Sequence, residues 1–133
     1  MNTIPLTAKM PRMYKNIGQH LEQLFRYQLT GKIIKADNKP YWLGGDIGNI
    51  QVKAYHATIC KGTDIADHIT KDPATSYAYV TEEKAYIMNK TEYLEFCNNF
   101  HYVTRESSKN GGSEKTRFTR KVNEIIKWLE GRA

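Results

Sequence analysis

Cysteine is scarce in this chain, with only Cys60 and Cys97 among 133 residues. The two lack CxxC spacing and have no second pair nearby, so neither a disulfide framework nor a zinc site is expected. Both read as buried or half-buried thiols of a reducing compartment. No apolar run approaches the roughly 20 residues of a membrane span, and the N-terminus lacks a signal-peptide core. The expectation is an intracellular, cytoplasmic protein with no membrane partner. Internal repeats and domain linkers are absent. Gly44-Gly45 is not followed by GK[ST], which excludes a phosphate loop of that kind.

Acid is in deficit as well. Fourteen Asp and Glu face 20 Lys and Arg, which gives a net charge of +6 and a pI of about 9.3. Such a balance favours an anionic partner, nucleic acid first. The surplus is uneven: from Thr104 to Ala133 there are eight Lys or Arg against four Asp or Glu. Arg105, Lys109, Arg117, Arg120 and Lys121 are therefore the candidate DNA-phosphate contacts, against the plainer reading of a solvated face.

With 40% hydrophobic residues, the length suits one α/β domain over 1–133, with a real core. Residues 1–13, which include Pro5 and Pro11, read as an irregular lead-in. Ile17, Leu21, Leu24 and Phe25 recur at helical spacing and predict a helix over 14–29, stopped by Gly31. Short strands are expected at 32–36 and from Tyr41, then at 50–59. A short helix is expected at 64–70, and strands at 76–80 and 84–88. Asn89-Lys90-Thr91-Glu92 has capping-box spacing and opens a helix to about Asn98. Residues 104–113 read as a flexible loop, and 114–130 as a basic C-terminal helix with an apolar stripe of Phe118, Val122, Ile125, Ile126 and Leu129.

The stretch Gly44 to Lys53 concentrates chemistry. Ile50, Val52 and Ala54 alternate with Gln51, Lys53 and Tyr55, so Gln51 and Lys53 leave one face of a half-buried strand. Asp46 ends the strand before it. A carboxylate beside a lysine can hold a divalent cation next to a charge stabiliser. The plain alternative is turn chemistry and a solvated lysine. Glu22 flanks the helical stripe and has Arg26 four residues on as a possible partner. His56 and Cys60 lie too far apart along a strand for a Cys-His pair. His20, His68 and His101 show no ligand spacing.

The order of helix, three strands, helix and strand, with Asp46, Gln51-x-Lys53 and Glu22 in these places, resembles the restriction-endonuclease-like superfamily, named for its PD-(D/E)XK motif. The resemblance spans roughly Tyr14 to Val80. It implies an αβββαβ core with a mixed sheet flanked by helices. Asp46 matches the first acid, Gln51 the second acid's position, Lys53 the lysine and Glu22 the helical acid. Gly45 stands where the family has Pro, and the gap from Asp46 to Gln51 is short. Some active members carry this Q-x-K variant, and many inactive relatives lose an acid there. The second half is also similar to small phage and mobile-element proteins of this fold.

What the resemblance implies is a Mg²⁺- or Mn²⁺-dependent DNA endonuclease. Asp46, Gln51 and the Val52 main-chain carbonyl would hold the metal, with Lys53 beside the attacked phosphate. The alternatives are a junction-resolving nuclease acting as a homodimer, an inactive DNA-binding module, and a mobile-element interaction protein.

Overall fold

The structure is a computed structural model, and it describes residues 1–12, 15–31, 47–54, 58–59, 65–108, 111–118 and 122–133. In chain order the elements are β1 (Asn2–Pro5), α1 (Ile17–Thr30), β2 (Ile50–Ala54), β3 (Thr58–Ile59), α2 (Ile65–Lys71), β4 (Ser76–Val80), β5 (Lys84–Asn89), α3 (Lys90–Phe100), β6 (His101–Ser108), β7 (Gly111–Phe118) and α4 (Val122–Glu130). The architecture is mixed α+β. A four-stranded sheet runs β1-β5-β4-β2, and a three-stranded sheet runs β3-β7-β6. β2 and β4 are parallel, joined through α2, while β4–β5 and β1–β5 are antiparallel. No helix among the described residues is long and apolar enough to cross a membrane.

The larger sheet is covered on both sides, and residue size sorts the two faces. Tyr77, Tyr79, Tyr86 and Met88 meet α3 and α4 through Tyr93, Phe96, Cys97, Ile125 and Leu129. On the other face the small residues Val52, Ala54, Ala78, Val80 and Ala85 receive α1 through Leu21, Leu24 and Phe25. β4 is buried at four of its five positions. Coverage from both sides removes the apolar–polar alternation that marks a half-solvated strand.

Local chemistry fixes the helix ends. The Asn16 side chain accepts from the N–H groups of Gly18 and Gln19, at 2.8 and 3.3 Å, which satisfies otherwise orphaned donors. Gly31 ends α1 at φ 70°, a left-handed conformation that costs glycine little. The capping box at α3 is reciprocal: Glu92 N–H donates to Asn89 Oδ1 at 2.8 Å, and Asn89 N–H donates to Glu92 Oε1 at 3.0 Å. Glu92 also pairs with the Met1 ammonium at 3.0 Å. The Asn89 N–H first, and that ammonium after it, hold the Glu92 carboxyl below its ordinary value. Replacing Asn89 by Ala should cost about 1 kcal/mol in urea unfolding at neutral pH. A folded-state pKa that is lowered adds stability above the unfolded value and loses it as pH falls. The penalty of Glu92→Gln should therefore shrink as unfolding is repeated below pH 4.5, the unperturbed Glu value.

Several elements differ from the sequence expectation. Residues 1–13 are not wholly irregular, because β1 pairs with β5 from Asn2↔Ile87 to Pro5↔Lys84. Its partner lies far along the chain, and four mixed residues carry no periodicity of their own. Pro5 is tolerated at the end of an edge strand. The Gln28 side chain then clamps the exit: its Oε1 accepts from Thr7 and Ala8 N–H, and its Nε2 donates to the Pro5 carbonyl at 2.8 Å.

Residues 104–108 and 111–113 are strand, not loop. They belong to the β6–β7 hairpin, paired from His101↔Phe118 to Ser108↔Gly111. Its ladder is made by backbone groups, so polar side chains hide it from a search for hydrophobic alternation. Asn110-Gly111 was the available hairpin signal. For the same reason the last helix starts at Val122 rather than 114, since Glu114 to Phe118 lie in β7. Of the strand expected at 50–59, Ile50–Ala54 forms β2 and Thr58–Ile59 joins the other sheet, while 55–57 lie outside the described residues. The strands expected at 32–36 and from Tyr41 lie outside the described residues.

Candidate functional site

The site is built on the start of β2. Ile47 and Ile50 exchange backbone hydrogen bonds of 3.0 and 2.9 Å across Gly48-Asn49. Gly48 sits at φ 55°, as the first centre of a two-residue hairpin requires. The Asn49 carbonyl accepts from Thr75 and Ser76 N–H at 3.0 and 3.1 Å, which ties the turn to the head of β4. From there the parallel register sets Gln51 beside Tyr77 and Lys53 beside Tyr79. Gln51 and Lys53 are half-buried, whereas Val52 and Ala54 between them are buried against the α1 face. The two polar side chains therefore share the α3 side of the sheet.

Aromatic rings form the wall there. Tyr93 stacks on Tyr77 with centroids 3.9 Å apart and planes within 4°. Phe96 meets Tyr79 at 5.4 Å. Burial raises the Tyr77 phenol well above its ordinary pKa, and the Asp72 carboxylate adds to the rise. The Tyr77 hydroxyl is buried and completes no hydrogen bond of good geometry. Asp72 itself accepts from Ala74 N–H at 2.9 Å. Burial pushes the Cys97 thiol up to about 12, while Tyr93 and the Lys53 ammonium pull it the other way. Lys53 thus extends its charge toward α3, beneath a layer of phenols. Among the described residues no carboxylate pairs with it.

Cys97 is fully buried, as the sequence suggested. With a pKa near 12, its thiolate fraction at pH 8 falls roughly a thousandfold below that of an ordinary thiol. In a Cys60→Ser variant, the remaining thiol should resist a disulfide reagent until denaturant is added. Rapid labelling of the folded variant would contradict this.

The other predicted residues are distributed as follows. Asp46 lies outside the described residues, one peptide bond before Ile47. Glu22 is on α1, the helix that covers the opposite face, and makes an ion pair with Arg26 at 4.0 Å. Arg105 lies on β6 opposite Glu114, and Arg117 on β7 opposite Tyr102 and Thr58. Lys109, Arg120 and Lys121 lie outside the described residues. The Asp72–Tyr77 and Tyr93–Cys97 pairs went unnoticed in the sequence. The four-residue spacing of Tyr93 and Cys97 was a readable helical signal. The parallel register that brings Tyr77 to Gln51 was not.

As oxygen donors, the Gln51 amide and the Val52 peptide carbonyl are of the type that Mg²⁺ accepts. Among the described residues no three His, Cys, Asp or Glu side chains cluster as metal ligands. The acid of the predicted set is Asp46. No protein-family model, curated protein or solved structure matches the chain.

Proposed function

We propose that the chain is a metal-dependent DNA endonuclease on a restriction-endonuclease-like fold. The observation that carries this reading is Lys53. Lys53 is half-buried on a strand, beside Tyr79 in the register, with no carboxylate partner among the described residues. Withdrawing an ammonium from water is costly unless an anion compensates. A phosphodiester is such an anion, and the net charge of +6 would draw one in.

In this reading Asp46 and Gln51 hold Mg²⁺ or Mn²⁺, with the Val52 main-chain carbonyl as a further oxygen. When bound, the ion would polarise the scissile phosphate and lower the pKa of a water. Lys53 orients that water or stabilises the charge that develops on the phosphate. The Gly48-Asn49 turn, closed by the hydrogen bonds between Ile47 and Ile50, sets the start of the strand that carries Gln51. Val52 and Ala54, anchored under α1, keep Lys53 from rotating away. Glu22 is not needed, because its helix covers the other face and Arg26 occupies it. Arg105, Lys109, Arg117, Arg120 and Lys121 would contact phosphates away from the cut.

The test is nicking of supercoiled plasmid, with junction and single-stranded substrates run beside it in Mg²⁺ and in Mn²⁺. No cleavage in any lane ends the reading. Preference for the junction, together with a dimer in solution, would assign the junction-resolving form. The amide at Gln51 supports a second reading, a DNA-binding module that keeps the fold and does not cut. That reading requires a gel shift that weakens steeply with salt alongside an absence of nicking.

A further inference from the structure

We infer that a groove between the ends of α3 and α4 is a stacking platform for an unpaired base of single-stranded DNA. This rests on the proposed nuclease function and names the form of its substrate. The groove holds about 400 Å³ and is lined by Asn99, Phe100, Glu124, Lys127, Trp128 and Arg132. Phe100 and Trp128 meet edge to face at 5.6 Å and 89°. Both rings are half-buried, and both rest on the fully buried Phe96, at 5.4 and 5.9 Å. The rings are therefore held rigidly while part of each faces outward.

A planar cation completes the platform. The Arg132 guanidinium lies 3.8 Å from the Trp128 ring centroid. Its Nη2 donates to Glu95 at 3.1 Å, which fixes the orientation of the plane. Flat rings and guanidinium planes are the surfaces on which bases stack. A base within a duplex already has neighbours on both faces, so only an unpaired one has a face to offer. Lys127 is exposed at the rim, with no carboxylate paired to it among the described residues. It is available to the phosphate of the same nucleotide. Phe96 also touches Tyr79, the register partner of Lys53, so platform and candidate site share one aromatic layer. Two cations, Arg132 tied to Glu95 and Lys127 at the rim, flank the aromatic floor beside the lining acid Glu124; with the net charge of +6 they suit a strand that is planar and anionic, and not an aliphatic peptide.

The chain has two tryptophans, so Trp42→Phe leaves Trp128 as sole reporter. Titration of that variant with a twelve-residue oligothymidylate in EDTA, where no cutting occurs, should quench its emission. Adding Lys127→Glu should weaken the titration about tenfold, since a phosphate contact and a stacked base contribute comparably. Arg132→Ala, also at an exposed position, should weaken it to a similar degree with an unchanged circular dichroism spectrum. Twelve base pairs of duplex should quench far less. Complex formation without quenching, equal affinity in Lys127→Glu, or equal quenching by duplex would each overturn the inference. Plasmid nicking without quenching overturns this inference alone. Quenching without nicking in either metal overturns the nuclease reading and leaves the platform in place.

Discussion

Lys53→Ala should reduce Mg²⁺-dependent plasmid nicking by about two to three orders of magnitude, the usual cost of one group that stabilises developing charge. Asp46→Ala should do at least as much, because it removes the only acid of the set. The variants differ in a way that identifies their roles. Lys53→Ala leaves the metal ligands intact, so the concentration of Mg²⁺ at half-maximal rate should barely move. Asp46→Ala should raise it or abolish the dependence. Gln51→Glu restores a charge and should lower it, since affinity for a hard cation follows ligand charge. Glu22→Gln should leave the rate within about twofold, since Glu22 stands on the helix that covers the opposite face of the sheet and pairs with Arg26. A Glu22→Gln protein as dead as Asp46→Ala would show that the helix on the far face reaches the site after all.

Phe96→Ala should destabilise the protein by about 3–5 kcal/mol, the cost of deleting a fully buried aromatic ring. Phe96 has no exposed surface and contacts Tyr79, Tyr93, Phe100 and Trp128, with centroids 5.4 to 6.1 Å apart. It is the point where α3, α4 and the sheet meet. For a chain of this size the melting temperature should fall by roughly 10–20 °C. Leu29→Ala serves as a control, because Leu29 is 41% exposed and its loss should cost a few tenths of a kcal/mol. Equal melting temperatures for Phe96→Ala and the parent would mean that the aromatic layer does not carry the core.

These expectations show which parts of the molecule were readable in the chain. The helix expected over 14–29 and found at Ile17–Thr30, its stop at Gly31, the strand at Ser76 to Val80 and the capping box at Asn89 were all legible. Each is written in local residues: a stripe, a glycine, a run of strand-forming tyrosines ending in Val80, an Asn and a Glu three apart. The same holds for the shared face of Gln51 and Lys53, which follows from alternation alone. What escaped depends on partners far along the chain. β1 is a strand only because β5 lies beside it. The β6–β7 hairpin is polar, so nothing in its apolar pattern betrays it. The side of the sheet to which α1 packs is also non-local, and that decides whether Glu22 stands with Lys53 or across from it. The register between β2 and β4, which sets Tyr77 beside Gln51, depends on the crossover through α2 and on the Asn49 carbonyl, and on no motif.

The pairing of β1 with β5 has a consequence in time. Asn2 and Ile87 are register partners, so β1 leaves a ribosome well before the strand it pairs with. At roughly 5–20 residues per second the delay is several seconds. During that interval the edge of β5 that β1 will cover does not yet exist, and β1 has nothing to template on. Closing so long a loop is entropically costly and slows the search. The four-stranded sheet can therefore close only after β5 is made. Gln51 and Lys53 gain their tyrosine wall in that same step, since β4 and β5 emerge together and α3 follows directly. Closure of the sheet and assembly of the lysine's surroundings therefore wait on the same stretch of chain.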